Sequence, residues 1–379
     1  MSMAFTFLHT ADLQIGKVFG GLPRDLAVSL TEARLAAIDR LAESATTAGA
    51  RHVLVAGDVF DSDALSAKTV RQALARFGRH GGLTWHLIPG NHDAHRPGGL
   101  WERLLADQPP ANFRAHLKPA AAEIDHGVWL LPAPLYGRAT ATDPTAHFDG
   151  AATPAGAIRI GLAHGSVRGF GRDDEAAVSI APGRAASARL DYLALGDWHG
   201  VTEINARTWY AGTPEPDRFS ANSPGHALIV RLAAAGAPAR VETIRTAQFT
   251  WVRHELAFRH ADDFAAIEQV IASAAERPSD VLLRLTVTGR ATAAQRREIA
   301  RKVQGLEALL KHVDVDLSQL AVKAESGDME LLGASGALRQ VGESLARQAS
   351  DTAAPQAATA AHALSLLLDF AAELADGPR

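Results

Sequence analysis

The stretch Gly57-Asp58-Val59-Phe60-Asp61, followed one strand later by Gly90-Asn91-His92-Asp93, constrains the fold of this chain more than any other feature. Each cluster comes directly after a short apolar segment: Val53, Leu54 and Val55 before the first, and Leu83, Trp85, Leu87 and Ile88 before the second. Short apolar runs of this kind read as buried strands. In an open α/β sheet the carboxyl ends of parallel strands share one rim, so groups placed there converge in space. Asp, Asn and His converging on one rim suit hard or borderline divalent cations, and such a centre points to phosphoester hydrolysis.

Three more clusters follow the same rule. Phe5-Thr6-Phe7-Leu8 leads to Thr10-Ala11-Asp12-Leu13-Gln14-Ile15-Gly16-Lys17, Ile158-Arg159-Ile160-Gly161-Leu162 to Ala163-His164-Gly165, and Tyr192-Leu193-Ala194-Leu195 to Gly196-Asp197-Trp198-His199-Gly200. In this order the five clusters resemble the calcineurin-like metallophosphoesterases, whose usual pattern is DxH, GDxxD, GNHD or GNHE, GH and GHxH. Two positions depart from it. Gln14 stands where the family has histidine, and Asp197 stands where the family has the first histidine of its last motif.

The resemblance implies two metal ions, one held by Asp12, Gln14, Asp58 and His199, the other by Asp58, Asn91, His164 and Asp197. It implies hydrolysis by attack of a metal-bridging hydroxide on phosphorus, with His92 protonating the leaving oxygen and Asp93 orienting His92. Asp61 reads as loop support. The departures leave three carboxylates, Asp12, Asp58 and Asp197, and only a neutral carbonyl at Gln14, which favours Mn²⁺, with Mg²⁺ next, over Zn²⁺ or Cu²⁺. His9, three residues before Asp12, reads as a packed, hydrogen-bonded histidine, and His52, His80 and His86 as structural or surface residues. Lys17 and Arg168 are candidates for touching a substrate phosphate, His95 and Arg96 read as a solvated loop or phosphate contacts, and Trp198 reads as packing.

Leu8 to Lys17 further resembles the opening of the SbcD-like DNA repair exonucleases, apart from Gln14. Gly57 to Asp61, Asp191 to Gly196 and Tyr210-Ala211-Gly212-Thr213-Pro214-Glu215 resemble later parts of the same proteins. That resemblance implies Mn²⁺-dependent cleavage of DNA phosphodiesters as an exonuclease or endonuclease, with an SbcC-like coiled-coil ATPase as partner; a homodimer is a separate expectation. The rival readings are a small-molecule phosphoesterase acting on nucleotides or cyclic nucleotides, and a non-catalytic scaffold subunit.

Composition bounds these readings. A net charge of -4 is modest for a DNA-binding chain, because phosphate neutralisation by Lys and Arg dominates such affinity. A local basic strip, metals or a partner would have to supply the attraction. The chain has no cysteine, hence no disulfide framework, in keeping with a reducing cytoplasm. No apolar run reaches the roughly 20 residues that span a bilayer, so a soluble cytoplasmic protein without membrane contact is expected.

Strand and helix patterns alternate through the first part, with strands expected at 5–9, 52–56 and 83–88 and helices at 30–45 and 67–77. Strands then crowd at 128–131, 158–163, 190–195, 209–211, 226–232 and 241–245, and 138–157 reads as a surface loop. The fold expected is α/β: a layered sandwich of β-sheets flanked by helices, occupying residues 1–248. A small α/β cap domain is expected at 249–320, with a helix capped by Thr292 and Gln295. Residues 321–379 read as an Ala-rich linker and C-terminal helix, whose face of Ala361, Leu364, Leu367, Leu368, Ala371 and Leu374 docks at home or on a partner.

Overall fold

The computed structural model describes residues 4–170, 177–322, 329, 332–333, 335–351 and 355–376. The chain forms two compact units, residues 1–249 and 250–379. The first is a sandwich of two six-stranded sheets flanked by helices. In the first sheet the order is Arg240–Arg245, His226–Leu232, Phe5–Thr10, His52–Val55, Thr84–Leu87 and Phe113–Ala115. In the second it is Thr202–Asn205, Thr208–Tyr210, Tyr192–Gly196, Ile158–His164, Val128–Ala133 and Ala122–Asp125.

The central strands of both sheets are parallel. Parallel strands are covered on both faces and therefore read as continuous apolar runs. Alternation along each strand divides those runs between two cores. Phe7, Leu54, Leu228 and Val230 from one sheet meet Leu130, Ile160, Leu162 and Tyr192 from the other. The opposite faces carry Leu8, Val53, Val55, Trp85 and Leu87 under the helices Arg24–Thr47 and Ala67–Arg79, and Leu131, Leu193 and Leu195 under Phe148, Ala185 and Leu190. Burying one Leu or Phe this way stabilises the fold by about 1.5–3 kcal/mol. The stretch expected as a surface loop, 138–157, contains a 3-10 turn at Ala146–Gly150 that buries Phe148 completely. One large apolar residue in a polar segment leaves no periodic signal.

Two buried histidine arrangements shape this unit. His9 lies within the inter-sheet region, 3.0 Å from the Tyr192 hydroxyl and 3.2 Å from the Leu195 carbonyl, and burial lowers its pKa to about 3. His52, His86 and His116 form a stacked row with nitrogen–nitrogen distances of 3.1 and 3.0 Å, ending on Asp125, 3.5 Å from His52. An all-neutral row satisfies these contacts if each ring donates toward Asp125.

In the second unit, strands Thr250–Phe258, Val281–Ala291 and His312–Asp316 run parallel, and Leu320–Val322 also pairs with Val281–Ala291. Helices Ala265–Ala274 and Ala293–Leu309 cover the apolar residues Leu283, Leu285 and Val287. Thr292 and Gln295 form the reciprocal capping box at the start of the second helix. Two helices follow, Ala337–Ser350 and Ala357–Asp376. Leu364 and Leu368 are buried with Met329 and Leu332, while Leu367, Ala371 and Leu345 pack around them. The side chain of Leu374 lies outside the described residues. Among the described residues no helix is long and apolar enough to cross a membrane.

Burial lowers the pKa of His86 to about 2, from 6.5. Below pH 6.5 the unfolded chain therefore binds the proton that the folded chain refuses, and stability from this site is lost as pH falls. Removing the imidazole should flatten the dependence by about 1.4 kcal/mol per pH unit just below about pH 6. Urea unfolding of wild type and His86→Gln at about pH 7.5, 6 and 5 measures the difference; parallel pH profiles would contradict it.

Candidate metal centre

The carboxyl ends of the central strands deliver their clusters to one place. Asp12, Asp58 and His164 each present a ligand atom within 4.8 Å of the others, and all three are buried. The Nε2 of His164 lies 3.5 Å from Asp58 Oδ1, 3.3 Å from Asn91 Oδ1 and 3.8 Å from Asp197 Oδ1. His199 Nε2 is 3.9 Å from Asp12 Oδ1. The structure thus gathers Asp12, Asp58, Asn91, His164, Asp197 and His199, with Gln14 beside His199 at 3.3 Å.

Backbone geometry explains how short side chains reach so small a volume. Seven described non-glycine residues have positive φ, and four are candidate ligands: Asp12 (52°), Gln14 (42°), Asp58 (50°) and Asp197 (99°). Such conformations cost of order 1–3 kcal/mol each and cluster at functional sites. The first-motif loop is held by the second, with Asp12, Gln14 and Ile15 N–H groups donating to the Gly57, Asp58 and Val59 carbonyls. Two glycines make the close approach feasible. A Cβ on Gly57 (φ +85°) would lie 2.4 Å from His164 Nδ1, and one on Gly90 would lie 2.1 Å from Asp58 Oδ1.

Hydrogen bonds orient the imidazole rings. His164 Nδ1 donates to the Ala56 carbonyl at 2.8 Å, leaving Nε2 for the cluster. His92 Nδ1 donates to the Asp61 carbonyl at 3.0 Å, its backbone N–H donates to Asp58 Oδ1 at 2.9 Å, and its Nε2 faces Asp58 Oδ2 at 3.9 Å. The His92 side chain is 45% exposed, so a substrate can reach that nitrogen.

Asp93 has a different role from the one expected. Its carboxylate accepts from the backbone N–H of Gly90 at 2.7 Å and of Phe60 at 3.1 Å, and a backbone carbonyl instead orients His92. The carboxyl group is fully buried, and without it two buried N–H groups would be unpaired. Lys17 also differs from expectation. Its ammonium lies 3.4 Å from Asp61, 3.2 Å from Asp217 and 3.5 Å from Gln14 Oε1, engaged within the protein rather than presented to a phosphate. Gln14 turns its carbonyl to Lys17 and its amide nitrogen to His199, so offering oxygen to a cation would require the amide to rotate. Trp198 is 36% exposed and meets Phe170 edge-on at 5.3 Å. His95 packs on Tyr136, and Arg96 pairs with Asp63.

The electrostatics are those of an acid cluster in a dry place. Burial raises Asp12 to about 6 despite His199 and His164, and burial also raises Asp197. Burial followed by the nearby Asp58 pushes Asp93 up to about 8. Burial would lower His164, but Asp58, Asp12 and Asp197 outweigh it and lift the imidazole to about 9. Three carboxylates, a carboxamide and two imidazoles converging at one buried rim fit divalent cations of oxygen-preferring type.

Two contributors carry no motif in the sequence. Arg34 is buried beneath the first motif and donates to the carbonyls of Leu13 (2.8 Å) and Glu215 (2.7 Å). The signal for it is an arginine four residues from both Leu30 and Ile38, on the apolar stripe. Asp217, with its side chain 2% exposed, lies 3.4 Å from His199 Nδ1. It falls two residues past the Tyr210-to-Glu215 segment.

A family model described as calcineurin-like phosphoesterase matches residues 5–231, more than half of the chain, and the chain belongs to that family. An uncharacterized metallophosphoesterase of Bacillus subtilis (strain 168), YhaO, is 32% identical over 101 residues, 25% of this chain and 24% of that protein. The chain thus matches about a quarter of the length of that relative. Among solved structures, TT1561 of Thermus thermophilus has 14% identity and a TM-score of 0.43 over 65% of this chain and 100% of that one. The purple acid phosphatase PPD1 of yellow lupin (Lupinus luteus) seeds has 12% identity and a TM-score of 0.38 over 65% and 52%. A dimetal phosphatase from Danio rerio has 11% identity and a TM-score of 0.38 over 63% and 99%. Calcineurin-like phosphoesterases use a dinuclear metal site, and this chain presents a candidate ligand group for one.

Asp93→Ala should leave the Gly90 and Phe60 N–H groups unpaired and cost about 1–3 kcal/mol for each. Urea unfolding checks this, and an unchanged midpoint would show that the two loops do not depend on the carboxylate.

Proposed function

We propose that the centre hydrolyses phosphodiester bonds of DNA, as an SbcD-like nuclease working in DNA repair. The observation that carries the hydrolytic part is the convergence of Asp12, Asp58 and His164 beside an exposed His92 whose Nε2 faces the same carboxylate. The DNA part rests on the likeness of the first-motif segment to the SbcD-like exonucleases and on the second α/β unit that follows in the chain.

Asp12, Asp58, Asn91, His164, Asp197 and His199 would hold divalent ions, Mn²⁺ by the oxygen-rich donor set, with Mg²⁺ next. Bound there, the ions supply Lewis acidity toward phosphate and an acidified water. His164 and His199 would bind through Nε2, His199 once the Gln14 amide turns away and His164 by giving up its Nε2 proton. His92, fixed by Asp61 with its proton on Nδ1, uses Nε2 to carry a second proton to the leaving oxygen. Asp93 keeps the second and third motif loops in register. DNA affinity beyond the centre would come from a coiled-coil ATPase partner of SbcC-like type, which answers the net charge of -4. A homodimer is a compatible assembly. That same low basicity favours the second reading, a phosphoesterase acting on nucleotides or cyclic nucleotides.

The test is cleavage of labelled single- and double-stranded DNA with Mn²⁺, alongside a chromogenic phosphodiester. His92→Ala should lower DNA cleavage by about 10²–10⁴-fold while retaining Mn²⁺ binding. Ester turnover with intact DNA would replace the nuclease with the small-molecule esterase. Inactivity on every substrate, persisting after an ATPase partner is added, would leave a scaffold subunit.

A further inference from the structure

Behind the candidate ligands the structure closes a polar ring that no motif announces. Asp217 Oδ1 lies 3.4 Å from His199 Nδ1, and His199 Nε2 lies 3.3 Å from the Gln14 amide nitrogen. Gln14 Oε1 lies 3.5 Å from Lys17 Nζ, and Lys17 returns to Asp217 Oδ2 at 3.2 Å as an ion pair without a hydrogen bond. Donors and acceptors alternate consistently around the ring in one way. A lysine ammonium only donates and a carboxylate only accepts. Lys17 therefore fixes the Gln14 carbonyl toward itself, the Gln14 N–H donates to His199 Nε2, and the His199 proton sits on Nδ1 facing Asp217.

One neighbour competes. Arg218 Nη2 is 3.5 Å from the same Nδ1, and Arg218 Nε is 3.7 Å from Asp217 Oδ1. A guanidinium donating to Nδ1 would require the opposite tautomer. The Arg218 side chain is 64% exposed and keeps its hydration, whereas the Asp217 side chain is 2% exposed. The carboxylate thus has more to gain from the imidazole proton. Burial would raise the Asp217 pKa, but the His199 hydrogen bond and the charges of Arg34 and Lys17 act against it, and the carboxyl is held far below its usual range.

We propose that Asp217 is the positioning residue of the metal centre: it holds the His199 proton on Nδ1 and so keeps Nε2 an acceptor, filled here by the Gln14 N–H and open to a cation once that amide turns away. Through Lys17 it also sets the amide of Gln14, the residue standing where the family has a histidine. Carboxylate–histidine pairs of this type fix ring orientation and raise ligand basicity, and losing the carboxylate lowers metal affinity by about 10–100-fold. The inference rests on the reading of His199 as a metal ligand, so its test has one arm with metal and one without.

In the metal-free arm, ¹⁵N-histidine-labelled full-length protein is observed by NMR, with His199→Gln assigning the His199 signals. Wild type should carry its proton on Nδ1 with Nε2 bare near neutral pH, and Asp217→Asn should shift the ring toward the Nε2–H form. A bare Nδ1 in wild type overturns the proposal, and this observation needs no variant that has lost its fold. In the metal arm, Mn²⁺ binding is followed by electron paramagnetic resonance. His199→Ala identifies the binding step that uses the imidazole. Asp217→Asn should weaken that step about 10–100-fold and leave any other step unchanged, with partial recovery in Asp217→Glu. Equal weakening of every step, or none, overturns the proposal. If wild type binds no Mn²⁺, the metal reading itself fails, and the tautomer alone decides whether Asp217 positions His199.

Discussion

The burial of Phe7, Leu54, Ile160, Leu162 and Tyr192 between the two sheets is the interaction on which the rest of this molecule depends. It sets two parallel rims together, so that Asp12, Asp58 and Asn91 from one sheet meet His164, Asp197 and His199 from the other. Neither sheet carries the whole set. Each ligand is therefore as well placed as the apolar packing beneath it, and His9 ties the layers laterally through Tyr192 and Leu195.

Upon that packing the chain spends stability on geometry. Four candidate ligands adopt left-handed backbone conformations, and three carboxylates are crowded into a largely buried cluster. The compensation is local. Arg34, Thr213 and the backbone of the second motif fasten the first-motif loop, and Asp93 fastens the second motif to the third. An acid cluster so confined favours cations in proportion to the charge they neutralise, which links the strain, the raised Asp12 and the family chemistry.

The fold class and the ligand clusters were legible because strand-end position is a one-dimensional property: an apolar run followed by Gly-Asp or Gly-Asn locates a rim residue without knowledge of the partners. Histidine at 164 and 199 could be read in the same way. The support around them could not. Asp217 meets His199 across 18 positions of sequence, and Arg34 meets Leu13 and Glu215 from the middle of a helix. Asp93 adjoins His92 in sequence yet serves Phe60 and Gly90, because a buried carboxylate follows unpaired N–H groups rather than its chain neighbour. The helix Ala337–Ser350 is amphipathic, but it follows directly on Gly333 and Gly336, whose breaking effect makes the whole stretch read as linker.

The central claim is that both sheets build one metal centre from these rims. Anomalous diffraction from crystals grown with Mn²⁺ tests it most directly. Manganese peaks are expected among Asp12, Asp58, Asn91, His164, Asp197 and His199. Manganese bound elsewhere, with none at that cluster, would contradict it.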